Sequence, residues 1–258
     1  MENFVVSYEP LTLLALVMAG FLSAFIDSTV GGGGLISTPF LLGLGFPVPY
    51  ALGTNKIAAS MGAAMSVFSF WRAGKINSLA WKICIFSFIG SAIGAYVVYL
   101  LPAQLMKPVI VVMLVVVAVY TYLRKDWGDN PVMQEISPKT LLGAVLMALG
   151  LGFYDGFFGP GTGSFLIFGF LFLGFDFVTA AGNAKVLNFM SGIGAVFSFT
   201  MSGTVIWTYG LIMGTAMLCG AYCGARLAIK KGAGYIRPLY LLVTTLLIGK
   251  QVYELFIK

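Results

Sequence analysis

Long apolar runs alternate along the chain with short polar or glycine-rich interruptions, and the runs are too uniformly apolar to be one face of a soluble helix. Ten segments stand out: 11–29, 34–46, 49–71, 79–100 and 105–123, then 140–157, 163–175, 178–202, 206–229 and 235–256. Most approach the roughly 20 residues that carry a helix across a bilayer. The second segment of each five is too short to cross comfortably alone. Each short segment follows a glycine-rich stretch, "GGGG" at Gly31, Gly32, Gly33 and Gly34, and "GPGTG" at Gly159, Pro160, Gly161, Thr162 and Gly163. Glycine and proline interrupt helices, so the pattern predicts broken or re-entrant helices there. Whether each break joins two full crossings or turns back within the membrane is open at this level.

The segments also repeat in order. "GFLSAFIDSTVGGGGLISTPFLL" faces "LGLGFYDGFFGPGTGSFLIFGFL", with Asp27 opposite Asp155 and Gly31 opposite Gly159. After one inserted residue "GTNKIAASMGAAMSVFSF" faces "GNAKVLNFMSGIGAVFSF", which matches Gly53 with Gly182 and Lys56 with Lys185; further on, Gly74 meets Gly203 and Pro108 meets Pro238. The most polar run, "RKDWGDNPVMQEISPK", separates the two copies. The organisation expected is a first repeat over 1–123, a polar cytoplasmic linker over 124–139 and a second repeat over 140–258.

Lysine and arginine in short loops set orientation. Arg72, Lys75 and Lys82 flank the turn after the third segment, whereas the matching "SGTVIW" carries no charge; one loop later "LLPAQ" is uncharged and its counterpart has Arg226, Lys230 and Lys231. The halves therefore read as opposite in orientation, with both termini outside, although Lys250 and Lys258 pull the other way. The fold class expected is an all-α polytopic membrane protein of two inverted-topology repeats, each of about five hydrophobic segments.

Composition supports the membrane assignment and narrows the chemistry. The chain is 59% hydrophobic and 9% charged, with a mean hydropathy of +0.97, whereas soluble domains are about one quarter charged. The opening "MENFVVSYEP" has no basic residue, so the first segment reads as retained rather than as a cleaved signal. Cys84, Cys219 and Cys223 form no C-x-x-C pattern, and disulfide and zinc roles are not expected. There is no histidine, which removes histidine triads and zincin motifs. The net charge of +6 sits mostly in loops, where it reports an anionic leaflet and not nucleic acid. No cofactor and no metal are expected.

Irregular backbone at membrane depth is tolerated where it is buried in protein or lines a wet cavity, so the two glycine breaks mark a candidate site. The binding glycines proposed are Gly31, Gly32, Gly33, Gly34, Gly159, Gly161 and Gly163, together with Thr162, because bare helix N-termini and backbone nests attract anions. Lys56 and Lys185 occupy the matching place in each copy, and an intramembrane lysine faces a cavity or a partner. Thr54 and Asn55 flank the first lysine, and Asn183 and Asn188 flank the second, as donors to oxyanion oxygens. Asp27 and Asp155 serve either as counter-charges to the lysines or as carriers of a coupling proton. Ser28, Thr29, Thr38 and Ser164 are further candidate lining groups, while Trp71 and Arg72 suit an interfacial anchor. Each half thus offers an acid, a glycine loop and a lysine; close helix packing through small residues is the alternative use of the glycines.

At these residues the chain resembles the TauE/SafE sulfite-exporter family, also called the toluene-sulfonate uptake permeases, and within it the YfcA-like branch. The resemblance rests on "FIDSTVGGGGLISTPFLL" with "ALGTNKIAASMGAAMSVFSFWRAGKI", and on "GFYDGFFGPGTGSFL" with "AKVLNFMSGIGAVFSF". It implies a multi-pass permease of the bacterial inner membrane, not an enzyme, that moves small sulfur-containing anions such as sulfite or organosulfonates by alternating access, coupled to an ion gradient. Substrate binding carries over onto Lys56, Lys185 and the loops before them. The lipid bilayer and the small anion are the partners expected, nucleic acid is not, and a homodimer stays open. Two alternatives use the aspartates instead: a cation or metal permease, and an intramembrane aspartyl protease sharing two carboxylates.

Overall fold

Residues 9–101 and 137–232 are described by the structure, a computed structural model, and they form eight helices. In chain order these are α1 (Pro10–Val30), α2 (Gly34–Gly43), α3 (Val48–Arg72), α4 (Ser78–Leu100), α5 (Pro138–Phe157), α6 (Thr162–Phe172), α7 (Phe177–Met201) and α8 (Trp207–Lys231). Each corresponds to one of the apolar segments read from the sequence. The fifth segment of each half, 105–123 and 235–256, lies outside the described residues, as do both chain termini and most of the linker.

The helix ends follow local chemistry. Pro10 and Pro138 open α1 and α5, where a missing N–H costs nothing. The Asn77 side chain accepts from the Leu79 N–H to start α4, and Asp176 accepts from the Val178 and Thr179 N–H groups to start α7. Gly31 and Gly232 stop α1 and α8 at positive φ, 77° and 67°, a region closed to most side chains.

Five helices, α1, α4, α5, α7 and α8, are long and apolar enough to cross a membrane, which makes this a multi-pass helical membrane protein. Helix α3 has the same 25 residues as α7 and α8 but is not among the five. It spends its length on Thr54, Asn55, Lys56, Ser60, Ser66 and Ser69, and most of it is buried inside the protein. The 10 residues of α2 and 11 of α6 extend only about 15–17 Å at 1.5 Å per residue, half a bilayer core.

Packing does not separate the two halves of the sequence. The most extensive interfaces join α4 to α5, α1 to α8, α4 to α7 and α3 to α8, and every one pairs a helix before the linker with one after it. Two intertwined bundles result: α1, α2, α3 and α8 in one, α4, α5, α6 and α7 in the other, meeting mainly where α3 crosses α7.

Small residues make the crossings close. A Cβ at Gly90 or Gly94 of α4 would strike the Leu149 or Phe153 carbonyl of α5, and one at Gly220 or Gly224 of α8 would strike the Phe21 or Phe25 carbonyl of α1. These four contacts are counterparts under the internal alignment, so the same packing occurs twice. Such backbone approach is the dominant attraction between helices in lipid, where burial of apolar surface gives little.

Candidate functional site

The four charged groups singled out by the sequence come together at the meeting of the bundles. Lys56 on α3 has its Nζ 2.8 Å from Oδ1 of Asp155 on α5. Lys185 on α7 has its Nζ 2.6 Å from Oδ2 of Asp27 on α1. Each lysine therefore takes its counter-charge from the other half of the sequence, and both ion pairs bridge the two bundles. The half-site suggested by chain order, an acid with the lysine that follows it, is replaced by a reciprocal exchange. Burial explains why pairing is needed: Lys56 is 5% exposed, Lys185 0% and Asp155 3%, and an unpaired charge at such depth is strongly destabilising.

Both acids have a second partner, and here the halves differ. Asp27 Oδ1 accepts from the Gly33 N–H at 3.1 Å. Asp155 Oδ2 accepts from the Ser191 hydroxyl at 2.6 Å, and that hydroxyl also lies 3.0 Å from the Asn188 carbonyl.

The glycine loops pack on each other. A Cβ at Gly31 would collide with Gly163 and the Ser164 N–H, and one at Gly34 would lie 3.1 Å from Pro160 Cα. Gly159, at φ 93°, leaves room for Lys56, whose Nζ would lie 2.8 Å from an added Cβ. The Ser164 hydroxyl donates to the Val30 carbonyl at 3.0 Å and ties the loops together. Half of their N–H groups have an acceptor within the protein. Gly31 N–H donates to Asp27 O, Gly33 N–H to the Asp27 carboxylate, Gly159 N–H to Tyr154 O and Thr162 N–H to Gly159 O. The N–H groups of Gly32, Gly34, Gly161 and Gly163 have no acceptor among the described residues, and Gly34, Gly161 and Gly163 line the cavity described next, whereas both lysines are held by carboxylates.

A cavity of about 40 Å³ opens beside this cluster, room for one or more waters or part of a small anion. Its polar lining comprises Ser23, Asp27, Ser37, Asn55, Lys56, Ser66, Asp155 and Asn188, with Gly33, Gly34, Gly159, Gly161 and Gly163 as its glycine walls. Lys185 does not reach it; Asp27 and Gly163 stand in between. The internal alignment puts Leu151, Leu166, Ala184 and Ala195 opposite Ser23, Ser37, Asn55 and Ser66, so these four polar lining positions have apolar counterparts in the second half. Asn55 is 5% exposed; its Nδ2 donates to the Thr38 hydroxyl at 3.2 Å, and its Oδ1 has no hydrogen-bond partner among the described residues.

Several expected ligands are used elsewhere. The Thr54 hydroxyl accepts from the Ile206 N–H at 3.0 Å, and Asn183 Oδ1 accepts from the Asn77 N–H at 2.7 Å. These are matching positions again, and each secures the backbone at the start of a helix in the other half. Neither residue lines the cavity, and neither do Gly31, Gly32 and Thr162. The Thr162 hydroxyl donates to Gly159 O at 2.7 Å, closing its own loop. Ser28 and Thr29 turn back to carbonyls of α1, Phe25 O and Ile26 O. Arg72 and Trp71 are exposed, away from the cluster.

Sequence reasoning missed Ser23, Ser37, Ser66 and Ser191. Their signal was the mismatch between halves: each hydroxyl faces an apolar residue or glycine in the other copy, with Ser191 opposite Gly62.

Comparison with known proteins places the chain among membrane transporters. The family described as "Sulfite exporter TauE/SafE" matches residues 16–250. A probable membrane transporter protein of Haemophilus influenzae is 36% identical over 244 residues, covering 94% of this chain and 95% of its own. One from Sinorhizobium, named ORF9, is 38% identical over 234 residues, covering 90% and 89%. The probable membrane transporter protein YfcA of Escherichia coli is 35% identical over 255 residues, covering 98% and 94%. No solved structure matches the chain.

Proposed function

The chain belongs to the TauE/SafE sulfite exporter family and is a membrane transporter, and from that premise we propose that it carries small sulfur-containing anions, sulfite or organosulfonates, across the bacterial inner membrane. The observation that carries this reading is the Lys56–Asp155 pair opening on a polar cavity. A buried lysine held by a carboxylate is already an anion site, with the protein's own anion in it. A substrate oxyanion competes for Lys56 with Asp155 and finds Asn55, Asn188 and the serines as further hydrogen-bonding groups.

Two inverted repeats support alternating access, but the moving bodies are the intertwined bundles rather than the halves of the sequence. The interfaces inside each bundle are extensive, while the bundles meet at α3 against α7, at the packed glycine loops and at the two ion pairs. Rocking of one bundle on the other exposes Lys56 to one side and Lys185 to the other in turn, with the ion gradient biasing the exchange. A cation permease would have to displace a lysine from each aspartate, and an aspartyl protease needs two carboxylates that share a proton, whereas each carboxylate here is bound to its own lysine.

The direct test is uptake of 35S-labelled sulfite, thiosulfate and isethionate into proteoliposomes beside uptake of divalent cations. Saturable anion flux lost in Lys56→Gln supports the reading. Cation flux alone overturns it.

A further inference from the structure

We propose that Asp155, and not its counterpart Asp27, carries a coupling proton, so that an anion taken by Lys56 crosses together with one proton; this rests on the anion-transport reading above. The two acids occupy matching positions and each holds a lysine, but their second partners are chemically different. Asp27 is held by the Gly33 N–H at 3.1 Å, a group that can only donate. Asp155 is held by the Ser191 hydroxyl at 2.6 Å, a group that can donate or accept.

The Ser191 hydroxyl sits between two acceptors, Asp155 Oδ2 and the Asn188 carbonyl at 3.0 Å. With Asp155 ionised, Ser191 donates to the carboxylate. With Asp155 protonated, the acid donates to Ser191 Oγ and the serine proton turns to Asn188 O. Both states are fully hydrogen-bonded, and the change between them is the rotation of one hydroxyl. Asp27 has no such arrangement, because a backbone N–H cannot reverse.

Charge balance supplies the coupling. In the empty site Lys56 and Asp155 sum to zero. An anion bound to Lys56 leaves Asp155 as a buried carboxylate without a counter-ion, a state strongly disfavoured in a site 3% exposed. One proton entering from the cavity, which Asp155 lines, restores neutrality. Among the described residues that face Asp155, no other charge is free to do so. Lys185 is bound to Asp27, and the Tyr154 hydroxyl donates to Pro160 O at 2.7 Å. Helix α6 has no titratable side chain; on α4, Lys82, Tyr96 and Tyr99 are exposed and the Cys84 thiol points to Trp81 O.

The experiment uses purified full-length protein in liposomes containing a pH-sensitive dye, clamped at zero voltage, with 35S-labelled sulfite, thiosulfate and isethionate supplied in parallel and protein-free liposomes as control. With one pH unit acid outside, the monoanion isethionate should accumulate towards about tenfold, the ratio one proton per anion supports, and its entry should acidify the lumen. Asp155→Asn should bring the accumulation ratio to one, and Ser191→Ala should shift the pH profile of uptake while Ser191→Thr restores it. Anion equilibration to a ratio of one in the unsubstituted protein overturns proton coupling while the anion reading stands. Gradient dependence lost in Asp27→Asn but kept in Asp155→Asn overturns the assignment. Absence of uptake of all three anions sinks the underlying reading and this proposal with it. Should Asp155→Asn fail to fold, the unsubstituted protein and the Ser191 pair decide the question.

Discussion

Lys56 and Asp155 come from opposite halves of the sequence, and their Nζ and Oδ1 atoms lie 2.8 Å apart at the seam between the two bundles. Lys185 and Asp27 repeat the bond from the other side at 2.6 Å. Each pair is therefore a structural tie and a candidate ligand site at once, and substitutions can separate the two roles.

Replacing Lys56 by glutamine strands Asp155 as a buried carboxylate and should cost about 3–5 kcal/mol of stability. The double variant Lys56→Gln, Asp155→Asn should recover most of that loss in thermal unfolding but recover no binding of 35S-labelled anion. Recovery of binding along with stability would make Lys56 a purely structural residue.

Asn55 lines the cavity, whereas its counterpart in the second half is Ala184. Asn55→Ala should weaken anion affinity by roughly tenfold, the loss of one hydrogen bond to a charged group, with little change in maximal flux. Equal affinity in an equilibrium binding assay would remove the side chain from the site.

The loop glycines differ in what surrounds them. Gly31→Ala combines φ 77° with a collision against Gly163 and Ser164, and Gly159→Ala combines φ 93° with contact on Lys56. Both should abolish transport and lower the yield of folded protein. Gly74→Ala, at φ 66° with open space around it, should cost only about 1–2 kcal/mol and leave transport in place. Retained flux in Gly31→Ala would mean that the loops separate during the cycle.

Bundle rocking predicts which cross-links are tolerated. In a cysteine-free background, Gly20→Cys with Ala216→Cys joins α1 to α8 inside one bundle, where a Cβ at Gly20 lies 3.5 Å from that of Ala216 and 2.9 Å from the Met213 carbonyl oxygen, so transport by the reduced variant is the baseline. Ser60→Cys with Gly192→Cys joins α3 to α7 across the seam, at 3.4 Å from the Ser60 Cβ. Oxidation should spare transport in the first and stop it in the second, reversibly with reductant. The opposite result would return the motion to the sequence halves.

Asp176 lies outside the helices, at the start of the one that carries Lys185. Burial pushes its carboxyl up, but hydrogen bonds from Thr179 and Val178, with Lys75 nearby, outweigh that and hold it below the usual carboxylate range. Its folded-state value is thus depressed, so its stabilisation is present above the unfolded value and is lost as pH falls through the folded one. Asp176→Ala should cost about 1 kcal/mol at neutral pH, and the difference from the unsubstituted protein should vanish in acid unfolding curves. A pH-independent difference would assign the effect to packing.

Much of the architecture was legible without coordinates because its causes are local. Hydrophobic length, proline and capping residues at helix starts, and glycine at helix ends act within a few residues, and the observed helices start and stop within a few residues of the apolar segments. Asp27, Lys56, Asp155 and Lys185 could be singled out for a similar reason: an ionisable group in an apolar run needs a partner. Which partner each one has is a different kind of fact. Chain order groups Asp27 with Lys56, but the chain path brings Lys185 to Asp27 and Asp155 to Lys56. The same path turns Thr54 and Asn183 from ligand candidates into supports for Ile206 and Asn77 in the opposite half. Sequence periodicity describes what a segment can bury; the tertiary structure alone decided what it is buried against, because those contacts depend on how distant helices cross.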